Sequence, residues 1–458
     1  MRSDRDSSSP SRFSNPSGRK RARLRSRRDR HPPPQLDNDV PLFVILSCRA
    51  TLTFSVKILI IGSGGREHAL AWRFAQEGHQ IFGAPGNPGI AGLGKLIPTT
   101  DYLAAAASVE PDLTVVGPEG PLVAGVVDQF RAAGRLIFGP IQEHAQLEGS
   151  KIYAKEFMQQ AGIPTARFIR TESEAQAEEA LKHFDYPVVI KADGLAAGKG
   201  VIIANDSGQA DAAIRGLGPR LVIEEFLTGE EVSFIVVSDG RTAIPLAATQ
   251  DHKTVSDGDT GPNTGGMGAY CDGRILTRAQ IHTVMDRIIH PVIAATGFTG
   301  FLYAGLMMTA TGPKVIEFNV RMGDPETQPL MLRLNSPFGE TLAQAARGEL
   351  AGISLEWHAE PSVCVVLAAA GYPASPRTGD LIRGIEDSRA LVFQAGTKSG
   401  PAGLETAGGR VLGITASGPD LASAIATTYA AVERIHFDGM HYRRDIGQKG
   451  LKRWALTH

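Results

Sequence analysis

Short apolar runs alternate with glycine turns and helical patterns along most of the chain. Residues 57–61 read Lys-Ile-Leu-Ile-Ile, a continuous apolar run typical of a strand buried on both faces of a parallel sheet. The turn 62–65 (Gly-Ser-Gly-Gly) follows, and residues 66–72 have the pattern of a helix. Backbone N–H groups at the start of such a helix attract anions, so this turn is a candidate phosphate site.

Two further strands are predicted at residues 113–116 and 136–138, each followed by Gly-Pro. Together these patterns predict an α/β region that opens with a parallel sheet. Because ligands bind at the carboxyl ends of the strands in such sheets, we expect the turn 62–65 and Glu119 to face one crevice.

The glycine turn does not match the dinucleotide-binding fingerprint. Glu67 stands where the third glycine of G-x-G-x-x-G is required, and no acidic residue follows the second strand near residues 80–85. A nicotinamide-dependent oxidoreductase is therefore disfavoured. Two interpretations stay open: a turn that serves close packing alone, and a phosphate site for a ligand smaller than a dinucleotide, which we prefer.

A second region begins with a helix predicted from Ser150. A strand ending at Lys191 follows, and it leads into the small-residue loop 192–201. This loop is not a Walker A motif, because only three residues separate two of its glycines and a glycine replaces the Ser/Thr that would hold Mg²⁺. Small residues let backbone amides approach phosphate oxygens, and Lys191 and Lys199 supply charge. A cationic surface hairpin is the alternative.

The next apolar strand, predicted at residues 221–227, closes with two carboxylates and an aromatic side chain. Glu224 and Glu225 alternate in direction, so at least one points away from the core and is a candidate to bind ribose or adenine.

The strand predicted at 314–321 separates polar from apolar positions. Alternation places Glu317, Asn319 and Arg321 on one face, and also Val315. Ile316, Phe318 and Val320 are expected on the other face, towards the core. A carboxylate and an amide oxygen two pleats apart suit a hard cation such as Mg²⁺ that also bridges nucleotide phosphates.

Composition limits the class of protein. A chain of 458 residues with 42% hydrophobic and 21% charged residues suits about three globular domains. Cys48, Cys271 and Cys364 are scattered without metal-site spacing, which favours a reducing compartment. No run approaches the roughly 18 apolar residues of a membrane helix.

The first 55 residues differ from the rest. They carry 12 Lys and Arg against 5 Asp and Glu, with many Ser and Pro and almost no apolar periodicity, which predicts disorder. Three interpretations stay open: an organelle transit peptide, a secretory or lipoprotein leader, and an upstream extension from an early start site. We prefer the last, because five acidic residues disfavour the first and Pro41 with an overlong basic region disfavours the second.

Five runs, in chain order, resemble glycinamide ribonucleotide synthetases, ATP-grasp enzymes of purine biosynthesis. The resemblance covers about residues 56–446. It departs from the family pattern at Val320 and Met322, where Cys and Phe are usual, and this puts fine packing in doubt. The runs are 62–69 (GSGGREHA), 190–201 (IKADGLAAGKGV), 250–253 (QDHK), 260–270 (TGPNTGGMGAY) and 323–329 (GDPETQP).

The resemblance implies both a fold and a reaction. ATP would phosphorylate the glycine carboxylate, and the amine of 5-phosphoribosylamine would attack the glycyl phosphate. The fold class would be α/β and α+β multidomain. The implied regions are a disordered extension (1–55), an open parallel-sheet domain (56–154), an ATP-grasp core (155–352, lid about 175–245) and a β-rich C-terminal domain (353–454).

The resemblance also implies how ATP and metal would be held. Two lysines beneath a closing glycine loop would contact the phosphates. The implied ATP-binding residues are Lys155, Lys191, Gly194, Gly198, Lys199, Gly200, Glu224, Glu225, Phe226, Leu227 and Glu231; Glu317 and Asn319 would bind Mg²⁺ or Mn²⁺.

The remaining candidates would face the two co-substrates. Arg321, Asp324 and Lys191 are the implied catalytic residues. The phosphoribosylamine side would comprise Gly62, Ser63, Gly64, Gly65 and Glu119; the other implied substrate-binding residues are Asp251, Asn263, Thr264, Gly265, Gly266, Met267, Gly268, Arg321, Asp324 and Glu326.

The expected partners are small molecules: ATP, glycine and 5-phosphoribosylamine. We expect no nucleic-acid or membrane partner, a monomer or weak dimer, and a cytoplasmic location, with organelle targeting as a minor alternative. Two other functions stay open: a different ATP-grasp carboxylate–amine ligase and a non-catalytic nucleotide-binding homologue.

Overall fold

A computed structural model describes residues 55–195 and 200–455 of the chain. All but Ser55 of the predicted basic extension lies outside the described residues. Within the described ranges, no helix has both the length and the apolar character needed to cross a membrane.

The chain opens with the predicted parallel sheet. Its strands have the order β3-β2-β1-β4-β5, and Ile58 to Ile61 of the central strand are fully buried, because helices cover both faces. The strands are β1 (Lys57–Gly62), β2 (Gln80–Pro85), β3 (Gly94–Leu96), β4 (Leu113–Val116) and β5 (Ile137–Phe138); the helices are α1 (Gly65–Gln76), α2 (Pro88–Ala91), α3 (Tyr102–Val109), α4 (Glu119–Val123), α5 (Val126–Ala132) and α6 (Gln142–Gly149).

The strand order reverses between β1 and β4. The turn after β1 and the segment that opens α4 therefore lie side by side at the carboxyl ends of neighbouring parallel strands. This is the position at which open α/β sheets bind ligands. The topology therefore brings the turn 62–65 and Glu119 to one crevice, as the strand pattern predicts.

After helix α7 (Lys151–Gln160), the chain forms a small lid, residues 168–225. Four antiparallel strands in the order β6-β9-β7-β8 carry two helices and have an apolar core of their own. Residues 230–245, expected in the lid, belong to the next sheet. The lid consists of β6 (Phe168–Thr171), α8 (Glu174–Leu181), β7 (Val188–Ala192), β8 (Val201–Ala204), α9 (Ser207–Leu217) and β9 (Leu221–Glu225).

The largest sheet unites the middle and the end of the chain. Its order is β17-β16-β10-β12-β15-β18-β22-β19, with β11 beside β10, so the C-terminal strands extend the sheet formed by the middle of the chain. The strands are β10 (Glu230–Asp239), β11 (Ala243–Pro245), β12 (Thr249–Asp251), β15 (Gly268–Cys271), β16 (Thr299–Thr309), β17 (Gly312–Asn319), β18 (Ser362–Ala368), β19 (Leu391–Gln394) and β22 (Arg410–Ser417).

Two hairpins and six helices complete the described chain. A 3-10 turn (Asp257–Asp259) and a π-helical turn (Met285–Ile289) interrupt the regular elements. The hairpins pair β13 (Thr254–Ser256) with β14 (Thr260–Asn263) and β20 (Thr397–Gly400) with β21 (Gly403–Thr406); the helices are α10 (Arg278–Val284), α11 (His290–Thr296), α12 (Thr327–Arg333), α13 (Phe338–Arg347), α14 (Leu421–Val432) and α15 (Gln448–Ala455).

Strand β17 corrects one expectation. Simple alternation placed Val315 with Glu317 and Ile316 towards the core, and this assignment is wrong. The pairing with β16 shifts by one residue between Gly305 and Leu306, so that Ile316 is the extra residue of a bulge. Val315 is therefore buried in the core, whereas Ile316 is only half-buried.

Hydrogen bonds connect helix α1 and the start of α2 to strand β19. The backbone N–H of Gln394 donates to Nδ1 of His68 at 2.8 Å, and the His68 ring packs edge-on against Phe393. Asn87 donates to the carbonyls of Ser63 and Gln394, each at 2.8 Å. Burial lowers the pKa of His68 to about 4. His68 is neutral in the folded protein at neutral pH.

The buried, neutral His68 predicts that the free energy of unfolding falls at acid pH. A histidine whose pKa falls from 6.5 to about 4 on folding contributes stability that is present above pH 6.5 and lost as the pH falls towards 4. The loss amounts to about 3 kcal/mol. His68→Asn keeps an acceptor for Gln394 and cannot titrate. Urea unfolding at pH 7 and pH 4 should show the wild type losing about 3 kcal/mol more than this variant; equal losses would contradict the assignment.

Candidate active site

A buried ion cluster lies where the lid meets the body. The Glu224 carboxylate on β9 lies 3.1 Å from the ammonium groups of both Lys155 and Lys191. Lys155 also donates to Thr165 at 2.7 Å, and Lys191 donates to the carbonyl of Ile316 at 3.0 Å. All three charged side chains are at most 5% exposed.

The cluster carries two positive charges against one negative charge. Burial lowers the pKa of Lys155 to about 8, against the opposing effect of Glu224. Oε1 of Glu224 has no hydrogen-bond partner among the described residues. The excess positive charge makes the cluster a receptor for anionic oxygens, such as those of ATP phosphates. Glu224, which the resemblance assigned to adenine or ribose, lies between the two lysines.

The glycine loop follows β7, the strand that carries Lys191 of this cluster. Gly194 has a φ of +98°, which favours glycine, and its carbonyl accepts a hydrogen bond from Lys151 at 2.8 Å. Ser150 donates to Asp193 at 2.8 Å, and the carbonyl of Gly200 accepts from Ala192. Two predicted loop residues, Gly198 and Lys199, fall outside the described residues.

The end of β9, the segment after it and the start of β10 hold the remaining candidate nucleotide contacts. Glu225 accepts hydrogen bonds from Lys314 and from the backbone of Arg167, both at 3.0 Å. Phe226 is 40% exposed, as a side chain available to a planar ligand would be. Leu227 is half-buried, and Glu231 pairs with Lys253 at 2.7 Å.

Glu317 and Asn319 lie on the same face of β17, as predicted. Burial opposes ionisation of Glu317, yet Lys253, Lys191, Lys151 and Arg321 together hold its pKa below the ordinary value. Its carboxylate is therefore ionised. The described residues hold no group of three or more His, Cys, Asp or Glu side chains suited to a metal. A carboxylate and an amide oxygen fit a Mg²⁺ ion that takes its other oxygens from phosphates and water.

Arg321 is held by two carboxylates. Its Nε lies 3.2 Å from Glu119 and its Nη2 lies 2.7 Å from Glu148. It also donates to Oδ1 of Asn319 at 3.1 Å and to the carbonyl of Met322. Glu148 accepts the N–H of Val320 at 2.8 Å, which fixes the strand beside the guanidinium. Sequence reasoning missed Glu148, because nothing distinguishes it from an ordinary residue near a helix end.

The glycine turn is closed by Glu67. Its carboxylate accepts the backbone N–H of Gly64 and the Nε of Arg66. A Cβ on Gly62 would lie 2.7 Å from the Glu67 side chain, and one on Gly117 would lie 1.9 Å from it. The two glycines therefore leave room for this carboxylate. Glu67, noted in the sequence only as a missing glycine, already occupies one donor of the predicted phosphate site.

The turn after β17 brings two more carboxylates to the crevice. Asp324 accepts from Gln328 at 2.8 Å and pairs with Arg410 at 3.2 Å. Burial raises the pKa of Asp324, but Arg410 and Arg66 bring it below the ordinary value. Glu326 is buried and accepts the hydroxyl of Tyr303 at 2.9 Å. Gly65 packs against this turn, since a Cβ there would lie 3.5 Å from Asp324.

Residues 263–268 form a loop that faces the turn after β17. Thr264 donates to the carbonyl of Lys253 at 2.8 Å and accepts the N–H of Gly266 at 2.9 Å. Asn263 ends β14, Gly265 contacts Arg410, Met267 is fully buried and Gly268 begins β15.

Asp251 adds a protonatable group to the crevice. Burial raises its pKa to about 7; Lys253 opposes this, whereas Glu326, Glu231 and Glu317 add to it. Lys253 also lowers the pKa of Glu317, and Glu231, Asp251 and Glu317 raise the pKa of Lys253. The predicted nucleotide, metal and substrate residues therefore share one electrostatic environment.

Three more residues belong to the site, although they were not predicted as site residues from the sequence. Lys253 balances the carboxylates, and its signal was the run QDHK. Arg410 contacts Asp324, and its signal was the run Gly408-Gly409-Arg410. Tyr303 gives no signal in the sequence, since it lies within an apolar strand.

Comparison with known proteins agrees with this geometry. The chain matches the N domain (56–148), the ATP-grasp (A) domain (149–327) and the C domain (362–449) of phosphoribosylglycinamide synthetase. It is 50% identical over 426 residues to a phosphoribosylamine–glycine ligase of Xanthomonas axonopodis pv. citri, covering 87% of this chain and 99% of that one.

Solved structures give the same result. The phosphoribosylamine–glycine ligase of Thermotoga maritima superposes with a TM-score of 0.76 at 37% identity, over 85% of this chain and all of that one. A Hydrogenobacter thermophilus biotin carboxylase domain, solved with MgADP, shares the fold alone: its TM-score is 0.65 at 17% identity, over 85% of this chain and 92% of that one. The chain belongs to the phosphoribosylglycinamide synthetase family.

Proposed function

We propose that this protein ligates glycine to 5-phosphoribosylamine at the expense of ATP, with glycinamide ribonucleotide, ADP and phosphate as products. One observation carries the proposal: buried lysines, an ionised Glu317 beside Asn319, and Arg321 converge in one crevice. These are the groups that phosphoryl transfer requires, because it depends on positioning and charge neutralisation more than on a covalent nucleophile. Relatives named for this reaction match over nearly their whole length.

In this proposal the ATP phosphates lie over the ion cluster. Lys155 and Lys191 are held with their ammonium groups near Glu224, so they are positioned before ATP arrives and need little reorganisation. Glu317 and Asn319 would hold Mg²⁺, which when bound neutralises charge on the transferred phosphoryl group. The glycine loop that begins at Gly194 would cover the phosphates and exclude water.

Glycine and phosphoribosylamine would bind on the other side of Arg321. The glycine carboxylate carries a negative charge, and Arg321 is a cation outside the lysine cluster that donates to Asn319 at 3.1 Å. Asp324, ionised beside Arg410, faces the glycine turn, where the amine co-substrate would lie. An acyl phosphate is readily hydrolysed, so a crevice closed by loops favours amide formation over loss to water.

Several finer assignments belong to the same proposal. We infer Mg²⁺ or Mn²⁺ as the metal, a cytoplasmic monomer or weak dimer, and no nucleic-acid or membrane partner. The domain boundaries at 56–154, 155–352 and 353–454 and the catalytic roles of Arg321, Asp324 and Lys191 are proposed with it. These assignments rest on the residue matches to the family and on the shared crevice.

Phosphate release from Mg·ATP tests the proposed reaction. The purified protein should release phosphate only when both glycine and phosphoribosylamine, generated in situ, are present, and the amide product should appear by mass spectrometry. Omission of either co-substrate is the control. Release that depends on neither co-substrate, or turnover of a different amino acid in place of glycine, would contradict the proposal.

The metal assignment predicts the behaviour of Glu317→Gln. The substitution keeps the size of the side chain and removes the charge, so kcat should fall by at least about a hundredfold. The Mg²⁺-dependent part of ADP binding, measured by calorimetry, should weaken with it. Glu172→Gln is the matched control, because Glu172 is 62% exposed and lies in the lid. If Glu317→Gln retained Mg²⁺-dependent binding and turnover, another residue would have to hold the metal.

Glu148 predicts a second effect. Glu148→Gln removes the charge nearest to Arg321, at 2.7 Å. It keeps the size of the side chain but leaves one acceptor oxygen for the two donors, Arg321 and the N–H of Val320. Kinetics should show a higher KM for glycine and an unchanged KM for ATP, because the arginine loses its fixed orientation while the lysine cluster is untouched. A change of equal size in both KM values would indicate general damage.

A further inference from the structure

Arg410 extends from the C-terminal region into the substrate side of the crevice. It opens β22, and its guanidinium donates from Nη1 to the carbonyl oxygens of both Gly265 and Asp324. Its Nη2 lies 3.2 Å from the Asp324 carboxylate. One guanidinium therefore bridges the loop 263–268 and the turn after β17, two segments that are far apart in sequence.

Tyr372 contacts the same loop at the backbone N–H of Gly265. Its hydroxyl accepts the N–H of Gly265 at 3.0 Å. The N–H of Gly265 is thus fixed by Tyr372 and its carbonyl by Arg410. A Cβ on Gly265 would lie 3.0 Å from Cζ of Arg410, so the flat guanidinium packs against the backbone here.

The glycines before Arg410 fit this arrangement. A Cβ on Gly409 would lie 2.3 Å from the Tyr372 ring, and one on Gly396 would lie 2.7 Å from Gly408. Two glycines let the strand approach the ring and the neighbouring hairpin closely. The proposed reaction does not itself explain the run Gly408-Gly409-Arg410. Its glycines allow the close packing that brings Arg410 and Tyr372 to the same peptide.

We propose that Arg410, together with Tyr372, is a positioning residue that sets the spacing between the loop 263–268 and Asp324 and so completes the substrate side from the C-terminal region. This inference rests on the proposed function, because the resemblance to the family implies that both segments face glycine and its acyl phosphate. Arg410 acts through these two segments. Its charge also faces Asp324 from a distance at which it favours the ionised carboxylate.

Four substitutions test the inference: Arg410→Gln, Arg410→Lys, Tyr372→Phe and, as the control, Arg377→Gln. Arg377 is 53% exposed and pairs with Asp380 on the surface of the same region, so its loss removes an ion pair away from the crevice. For each variant, we would measure thermal unfolding, kcat, KM for ATP and for glycine, and the pH dependence of kcat/KM for glycine.

Arg410→Gln should lower kcat/KM for glycine by at least about a hundredfold, because it removes a charged bridge to two segments. KM for ATP should stay within about threefold, because the lysine cluster does not contact Arg410. The acid limb of the pH profile should move to higher pH, since Asp324 loses the cation that most lowers its pKa. Arg410→Lys should restore the position of the acid limb but only part of kcat.

Tyr372→Phe removes one acceptor and should lower kcat/KM for glycine by about tenfold, with no shift of the acid limb. If Arg410→Gln does not fold, Arg410→Lys and Tyr372→Phe still carry the test. An active wild type whose Arg410 variants match Arg377→Gln in kinetics and pH profile, whatever their unfolding temperatures, would overturn this inference alone. A wild type without glycine-dependent phosphate release would overturn the proposed function and the inference with it.

Discussion

The contact between Glu224 and the two lysines is the interaction on which the rest of the site depends. It lies at the base of the lid, where Lys155 comes from α7 and Lys191 and Glu224 come from the lid sheet. Burying three charges is unfavourable unless they pair, and removal of one partner from such a group typically costs about 3–5 kcal/mol. The pairing therefore fixes the lid strands and also leaves one positive charge in excess. The same arrangement that attaches the lid prepares a place for phosphate.

Lys191 connects this cluster to the other charges of the crevice. Lys191 and Lys253 keep Glu317 ionised, and Lys253 in turn pairs with Glu231. Arg321 is balanced by Glu119 and Glu148. No single element supplies these groups: they come from the parallel sheet, the lid and the extended central sheet. Because β18 and β22 continue the sheet that carries β15, the C-terminal region places its own side chains at the same crevice.

Local patterns in the sequence predicted the elements and the polar face well. The apolar run before the glycine turn and the alternation of Glu317, Asn319 and Arg321 depend only on neighbouring residues, and both were correct. The bulge at Ile316 was not predictable, since one extra residue leaves no trace in an apolar run. Glu148 lies 173 residues from Arg321 and Arg410 lies 86 residues from Asp324. Such partners are set by tertiary packing, which periodicity does not encode.

The central claim is that this site transfers a phosphoryl group from ATP to the carboxylate of glycine before the amine of 5-phosphoribosylamine attacks. Transfer of ¹⁸O tests it most directly. With glycine labelled in both carboxylate oxygens, the account predicts that each phosphate released carries one ¹⁸O atom and that the amide product retains the other. This follows because the bond broken in the second step joins the acyl carbon to the labelled oxygen. Amide product formed together with unlabelled phosphate would contradict the account, because the glycine oxygen would then never have been phosphorylated.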